Sequence, residues 1–255
     1  MIHSTAIIHP SAKLGKNVSV GAFCLIGADV SIGDNTVLES HVVVKGKTSM
    51  GKGNHIYQFA SVGEDCQDKK YAGEPTELIM GDNNIIRESV TIHRGTVQDK
   101  GVTKIGSNNL LMCFVHVAHD CVIGDNSILA TSAILAGHVH MGDWVIMGGA
   151  TAAHQFCRIG DHSFIGGGAI ILADVPPFVM LGNDSKPRGI NAEGLKRRGF
   201  DSDTILQIKR AYKVLYRKGL RAEEAVKQLL AMPGNMPEIR LLADFVGNSS
   251  RGIAR

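Results

Sequence analysis

The sequence predicts a mainly β chain: a left-handed parallel β-helix over residues 1–190, then a small α-helical C-terminal domain over 191–255. Three observations support this. An aliphatic residue recurs at every sixth position through most of the chain. The 255 residues include 30 glycines but only 5% aromatics, which suits a repeat held by backbone packing rather than a core of large rings. Beyond residue 190 the six-residue recurrence gives way to apolar spacings of three and four, the period of a helix face.

The recurrence runs unbroken from Ile2 through Ile8, Leu14 and Val20 to Val62. It lapses across Gly63–Ile79, resumes at Met80, Ile86 and Ile92, lapses again over Arg94–Lys104, and then runs from Ile105 to Ile171. At three hexads per coil, residues 18 apart stack about 4.8 Å from each other, and the whole makes a prism roughly 40 Å long. The two lapses read as loops leaving from corners, which a solenoid tolerates. Glycine often follows the aliphatic residue (Gly15, Gly21, Gly33, Gly124), and these small residues are expected to make the corners. The fifth place of each hexad is small or β-branched, so Cys24, Cys121 and Cys157 read as packing residues. GKTSMGKG at 46–53 approaches a phosphate-binding loop, but Gly53 replaces the required Ser or Thr and the repeat already explains the string.

The solenoid is expected to end near Val175–Pro177, where proline removes a ladder donor, with a linker to about Ile190. Ile205, Ile208, Tyr212 and Leu215 then fit one helix face, and Ala225, Val226, Leu229 and Leu230 a second. Leu241, Leu242, Phe245 and Val246 fit a third.

Composition excludes several classes. Charged residues make up 20%, too balanced for a disordered chain, and no apolar run is long enough for a membrane span. No signal peptide is read at MIHSTAIIHP. Five widely spaced cysteines without a CxxC pair point to the cytoplasm. Residues 191–255 hold 13 Lys+Arg and 7 Asp+Glu, whereas residues 1–190 hold 14 and 17. That basic tail is either a solvated helix face or a dock for an acidic partner.

Seven of the eleven histidines fall between positions 93 and 162. Counting by 18 stacks Asp120 against His138 and sets Gly137 directly beside His119. A glycine there leaves room for a ligand and could present its N–H. A histidine beside a carboxylate and an open donor suits a general base facing an oxyanion site. Hexapeptide solenoids resembling γ-class carbonic anhydrases hold zinc with three histidines, but no three-ligand geometry is expected here, and no metal. Without a GxSxG elbow or a Cys–His pair, a covalent acyl-enzyme has no support.

The segments QDKKYAGEPTEL, IRESVTIHRGT, LLMCFVHVAHDC, LAGHVHMGD, AAHQFCRIG and NAEGLKRRGF resemble one family, the acyl-carrier-protein-dependent UDP-N-acetylglucosamine O-acyltransferases of lipid A synthesis. The resemblance spans the chain, both insertions included. It implies a homotrimer with active sites between subunits, which moves an (R)-3-hydroxyacyl group from acyl carrier protein to the 3-hydroxyl of the nucleotide sugar. No cofactor, nucleic acid or membrane span is implied. By the same resemblance, His119 is the general base, Asp120 its partner, and Gly137 N–H the oxyanion donor. Asp68 and Lys70 would reach an adjacent site. His116, His138 and Gln155 would line the sugar and acyl pocket, with His93 also substrate-binding. Asn191, Glu193, Arg197 and Arg198, helped by His154, would hold the ribose and diphosphate. Phe164, Gly166 and Gly167 would border the acyl groove. Lys209, Arg210, Lys213, Arg217 and Lys218 would receive the carrier. A related N-acyltransferase of the pathway, a non-catalytic scaffold and a zinc-binding β-helix are the alternatives.

Overall fold

The computed structural model describes all 255 residues. Short strands stack into three sheets of a left-handed parallel β-helix, and every third strand falls in the same sheet. The first face runs from Ile7–Ile8 to Ile170–Ile171, the second from Lys13–Leu14 to Arg158–Ile159, and the third from Ser19–Val20 to Phe164–Ile165 and beyond. Ile7 pairs with Leu25 and His116 with Ile134, so one coil is three hexads, as the register requires. The recurring aliphatics fill the prism: Ile26, Leu38, Ile56, Leu111, Leu129 and Ile165 are all buried. Cys24, Cys121 and Cys157 point inward with them. Burial pushes the Cys121 thiol up to about 12, so it is a packing group without nucleophilic use.

The corners differ from expectation. Apart from Gly63 at the first insertion, the residue with positive φ is not the glycine after the aliphatic but the fourth place of the hexad, occupied by Asn17, Asn35, Asn83, Asn126, Asp120, His138 and Phe156 among others. Asn and Asp visit that conformation at least cost, which suits most of these corners. The second-place glycines serve close approach between coils instead. A Cβ on Gly33 would lie 2.4 Å from the Gly51 carbonyl carbon, and one on Gly21 would lie 2.7 Å from that of Glu39.

Both insertions are shorter than the lapses in the aliphatic count. Strands Lys47–Met50, Glu77–Met80 and Val102–Ile105 pair in register, with Thr48, Leu78 and Thr103 buried two residues before the usual inward residue. A strand extended at period two carries on where a six-residue count sees a break. The segment to Ile190 is likewise not a linker. Val179–Leu181 adds a parallel strand to the third face, and Pro187–Ile190 folds back antiparallel on it, capping the prism.

Four helices follow: α1 (Ala192–Arg197), α2 (Ser202–Arg217), α3 (Ala222–Leu230) and α4 (Pro237–Gly247). Asp201 caps α2 by accepting the Thr204 N–H at 2.9 Å. Ile205, Ile208 and Leu215 of α2 pack with Ala225 and Leu229 of α3 and Leu242 and Val246 of α4. Leu230 and Leu241 face outward instead. The chain end returns to the prism, where Ala254 N–H donates to the Asp174 carbonyl and Ser249 Oγ donates to its carboxylate. No helix is long and apolar enough to cross a membrane.

Candidate active site

The corner between the first and second faces stacks His119 and Asp120, then Gly137 and His138, then Gln155 and Phe156, each set one coil above the last. A cleft of about 700 Å³ opens on this corner, lined by His119, His138, Gln155 and Phe156 and by both insertions. His119 Nδ1 lies 2.9 Å from Asp120 Oδ2. Asp120 is 2% exposed. Burial opposes its charge, but donors from His119 and Thr96 outweigh that and hold the carboxyl below its ordinary range. A carboxylate on Nδ1 fixes the imidazole with Nε2 as the free nitrogen.

Gly137 lies against that ring: a Cβ there would sit 2.6 Å from His119 Cε1 and Nε2. Its backbone is buried, and its N–H finds no acceptor within the chain. An orphaned buried N–H is rare, and Gly137 lies against the ring of His119, which lines the cleft. The arrangement offers a base and an oxyanion donor a few ångströms apart.

His138 stacks beside Asp120 on the next coil, as the count requires, but does not hydrogen-bond to it. Its Nδ1 pairs with Asp99 at 2.9 Å rather than with Asp120, and its ring stacks on Phe156 with centroids 4.4 Å apart. His119, Asp120 and His138 nonetheless bring three ligand atoms within 4.8 Å of one another, which corrects the expectation that no such trio forms. Each is already engaged. Nδ1 of His119 and Oδ2 of Asp120 bind each other, Thr96 donates to both Asp120 oxygens, and His138 binds Asp99. A cation held through these same atoms would have to break these bonds, while Nε2 of His119 and of His138 has no partner in the chain.

Asp68 and Lys70 line the same cleft as His119. The reason is Arg94, buried beneath the first insertion, which donates to the Gly63 carbonyl at 2.6 Å, to the Tyr71 hydroxyl at 2.8 Å and to the Asp65 carboxylate. His93 is buried against the same insertion and meets His116 edge-on at 5.2 Å. His116 accepts from or donates to Thr91 Oγ1 at 2.8 Å, and burial, with His93 and His119 nearby, lowers its pKa to about 4. His154 is exposed on the same corner, 3.4 Å from Arg251 of the returning chain end.

The other predicted residues lie elsewhere on the chain. Asn191 caps α1 and donates to the His162 carbonyl at 3.0 Å. Arg198 reaches His162 Nδ1 at 3.1 Å and lies over the Trp144 ring, while Arg197 pairs with Glu193 on the surface. All four sit at the corner between the second and third faces. Phe164 is on the third face, and Gly166 and Gly167 follow it toward the remaining corner. Of the five tail cations, Lys209, Lys213 and Arg217 line one groove of about 730 Å³ with Lys196 and Arg188, over Met180 and Ile205. Arg210 turns to Gln207 and Lys218 to Gln228, away from it.

Sequence reasoning missed Thr96, Asp99, Phe156, His140, Arg158 and Ser250, all at the cleft. Counting by 18 from His138 reaches Phe156, and from His140 reaches Arg158. Nothing in the repeat marks Thr96 or Asp99, which lie in an insertion, or Ser250, which the chain end delivers.

The coil register and the polar corner define a hexapeptide-repeat transferase, and residues 11–46 and 103–137 match the bacterial transferase hexapeptide family. Residues 174–254 match the second domain of UDP-N-acetylglucosamine O-acyltransferase. A Herminiimonas arsenicoxydans protein named acyl-[acyl-carrier-protein]--UDP-N-acetylglucosamine O-acyltransferase is 53% identical, covering 100% of this chain and 99% of its own. A solved Francisella novicida UDP-N-acetylglucosamine acyltransferase superposes with a TM-score of 0.97 at 46% identity, covering 100% of this chain and 94% of the other. A solved UDP-N-acetylglucosamine O-acyltransferase from Moraxella catarrhalis gives 0.96 at 48%, covering 100% and 99%. The chain belongs to the UDP-N-acetylglucosamine O-acyltransferase family.

Proposed function

We propose that this chain transfers an (R)-3-hydroxyacyl group from the thioester of acyl carrier protein to the 3-hydroxyl of UDP-N-acetylglucosamine, the first step of lipid A synthesis, in the cytoplasm. The observation that carries the reading is His119, held by Asp120 at the cleft, with the unpaired Gly137 N–H in the backbone against its ring. His119 Nε2 takes the proton of the sugar 3-hydroxyl as its oxygen attacks the thioester carbonyl. The resulting oxyanion accepts from Gly137 N–H. Collapse breaks the carbon–sulfur bond, and the departing pantetheine thiolate takes the proton back from Nε2. No acyl-enzyme, metal or redox cofactor enters these steps.

The prism over 1–190 carries the chemistry in this reading, and the tail over 191–255 recruits the donor. The substrate residues at the other corners favour a homotrimer. Around a three-fold axis, Asn191, Glu193, Arg197 and Arg198 of one copy can serve the His119 corner of the next, with an acyl groove bordered by Phe164, Gly166 and Gly167 between them. His93, His116, His138, His154 and Gln155 would surround the sugar, and Asp68 and Lys70 would close over it. The test is mass spectrometry of the product from UDP-N-acetylglucosamine and a ladder of 3-hydroxyacyl carrier proteins, alongside His119→Ala. The wild-type chain should yield a singly O-acylated sugar, and the variant should lose about 10²- to 10⁴-fold in kcat. An unmodified sugar, or a folded His119→Ala chain with wild-type turnover, overturns the reading.

A further inference from the structure

The second insertion is built to reach the catalytic pair. A Cβ on Gly95 would lie 2.1 Å from Val102 N, so the two backbones pack directly at the base of the turn. The Thr96 carbonyl accepts the Gly101 N–H at 3.0 Å, closing it. Thr96 is thereby fixed, 2% exposed, and aimed at Asp120. Its N–H lies 3.0 Å from both carboxylate oxygens, and its hydroxyl donates to Oδ2 at 2.6 Å. Oδ2 is the same oxygen that meets His119 Nδ1. From the far side of the turn, Thr103 Oγ1 accepts the Asp120 N–H at 2.8 Å.

These bonds have a consequence for the base. Apart from His119, the side chain of Asp120 has no hydrogen-bond partner but Thr96. A carboxylate holding three donor contacts from one residue cannot rotate away from the imidazole without leaving buried polar atoms unpaired. It is also kept ionised, and so an acceptor for Nδ1–H. The hydroxyl therefore controls which tautomer of His119 is present and where Nε2 points. We propose that Thr96 is a positioning residue for acyl transfer, acting through Asp120 to hold His119 in the Nδ1–H form. This rests on the reading of His119 as the base.

The test compares Thr96→Val, which removes the hydroxyl at nearly constant shape, with Thr96→Ser, which keeps it. Thr96→Ala serves as a second deletion should valine fail to fold. Thermal unfolding establishes that each variant is intact. Thr96→Val is expected to lower kcat about tenfold or more, with the UDP-N-acetylglucosamine KM unchanged. The serine variant should stay within about threefold of wild type. Proton NMR should show the His119 Nδ1–H resonance, downfield in the wild type, lost or moved upfield in the valine and alanine variants and restored by serine. Wild-type kcat in the folded valine or alanine variant overturns the proposal. So does a serine variant as damaged as valine, or a KM that rises in step with the loss. His119→Ala in the same assay separates the two claims. If it is inactive while Thr96→Val is normal, only the role of Thr96 falls; if it is active, the base reading falls first.

Discussion

Gly137→Ala isolates the geometry of the site from its hydrogen-bonding groups. The substitution keeps the backbone N–H, and Gly137 is not among the residues with positive φ, so no backbone strain enters. What changes is space. The new Cβ would sit 2.6 Å from His119 Cε1 and Nε2, whereas ordinary contact begins at 3.4 Å, so the ring must retreat by about 0.8 Å or tilt. Asp120 resists, because its carboxylate is anchored by Thr96 and grips Nδ1 at 2.9 Å. A catalytic group misplaced by about 1 Å can cost about 10²-fold in rate, so kcat should fall by roughly that factor. The melting temperature should move little, since the methyl enters the cleft and not the aliphatic core. Steady-state transfer with full-length donor and UDP-N-acetylglucosamine measures the loss. Adding the alanine to His119→Ala should then cost almost nothing more, as expected when two changes act on one device. A Gly137→Ala chain with near wild-type kcat, or one whose loss simply multiplies with that of His119→Ala, would show that the ring does not need the space.

Arg197→Ala, which loses only an exposed pairing with Glu193, should raise the UDP-sugar KM without changing the melting temperature; unchanged sugar affinity by calorimetry would remove it from the nucleotide site. Arg198→Ala should do both, because it also gives up its contacts with His162 and Trp144. Reversing Lys209 and Lys213 in the basic groove should raise the carrier KM in a salt-sensitive way, while reversing Arg210 and Lys218 should do less. Equal losses with a short acyl-pantetheine donor would count against carrier docking. Burial first, with His93 and His119 beside His116 and Arg198 beside His162, lowers both histidines to about 4. The unfolded chain therefore binds more protons between about pH 6.5 and 4, so their contribution to stability is complete above about 6.5 and disappears as pH falls toward 4. Denaturant midpoints across that window should drop, and His116→Gln should flatten the slope.

How much of this was legible in the sequence follows from which interactions a period can encode. Outside the two insertions the hexad register places the inward aliphatics and the 18-residue neighbours, which is why Gly137 beside His119 and the inward cysteines could be read directly. It says nothing about direction at a corner. Asp120 and His138 are neighbours by count, yet each fourth-place residue adopts positive φ, and in that conformation Asp120 turns to His119 while His138 is taken by Asp99. The partner Asp99 and the anchor Thr96 stand in an insertion whose residues follow no period, so only the fold could bring them to the corner. The same limit explains the glycines. A small residue that recurs looks like a bend, but here it marks where one coil's backbone rests on the next. The bends themselves are carried by Asn, Asp, His and Phe. A corner that accepts such varied side chains leaves the prism indifferent to their identity, and so chemistry can be placed there without disturbing the core beneath it.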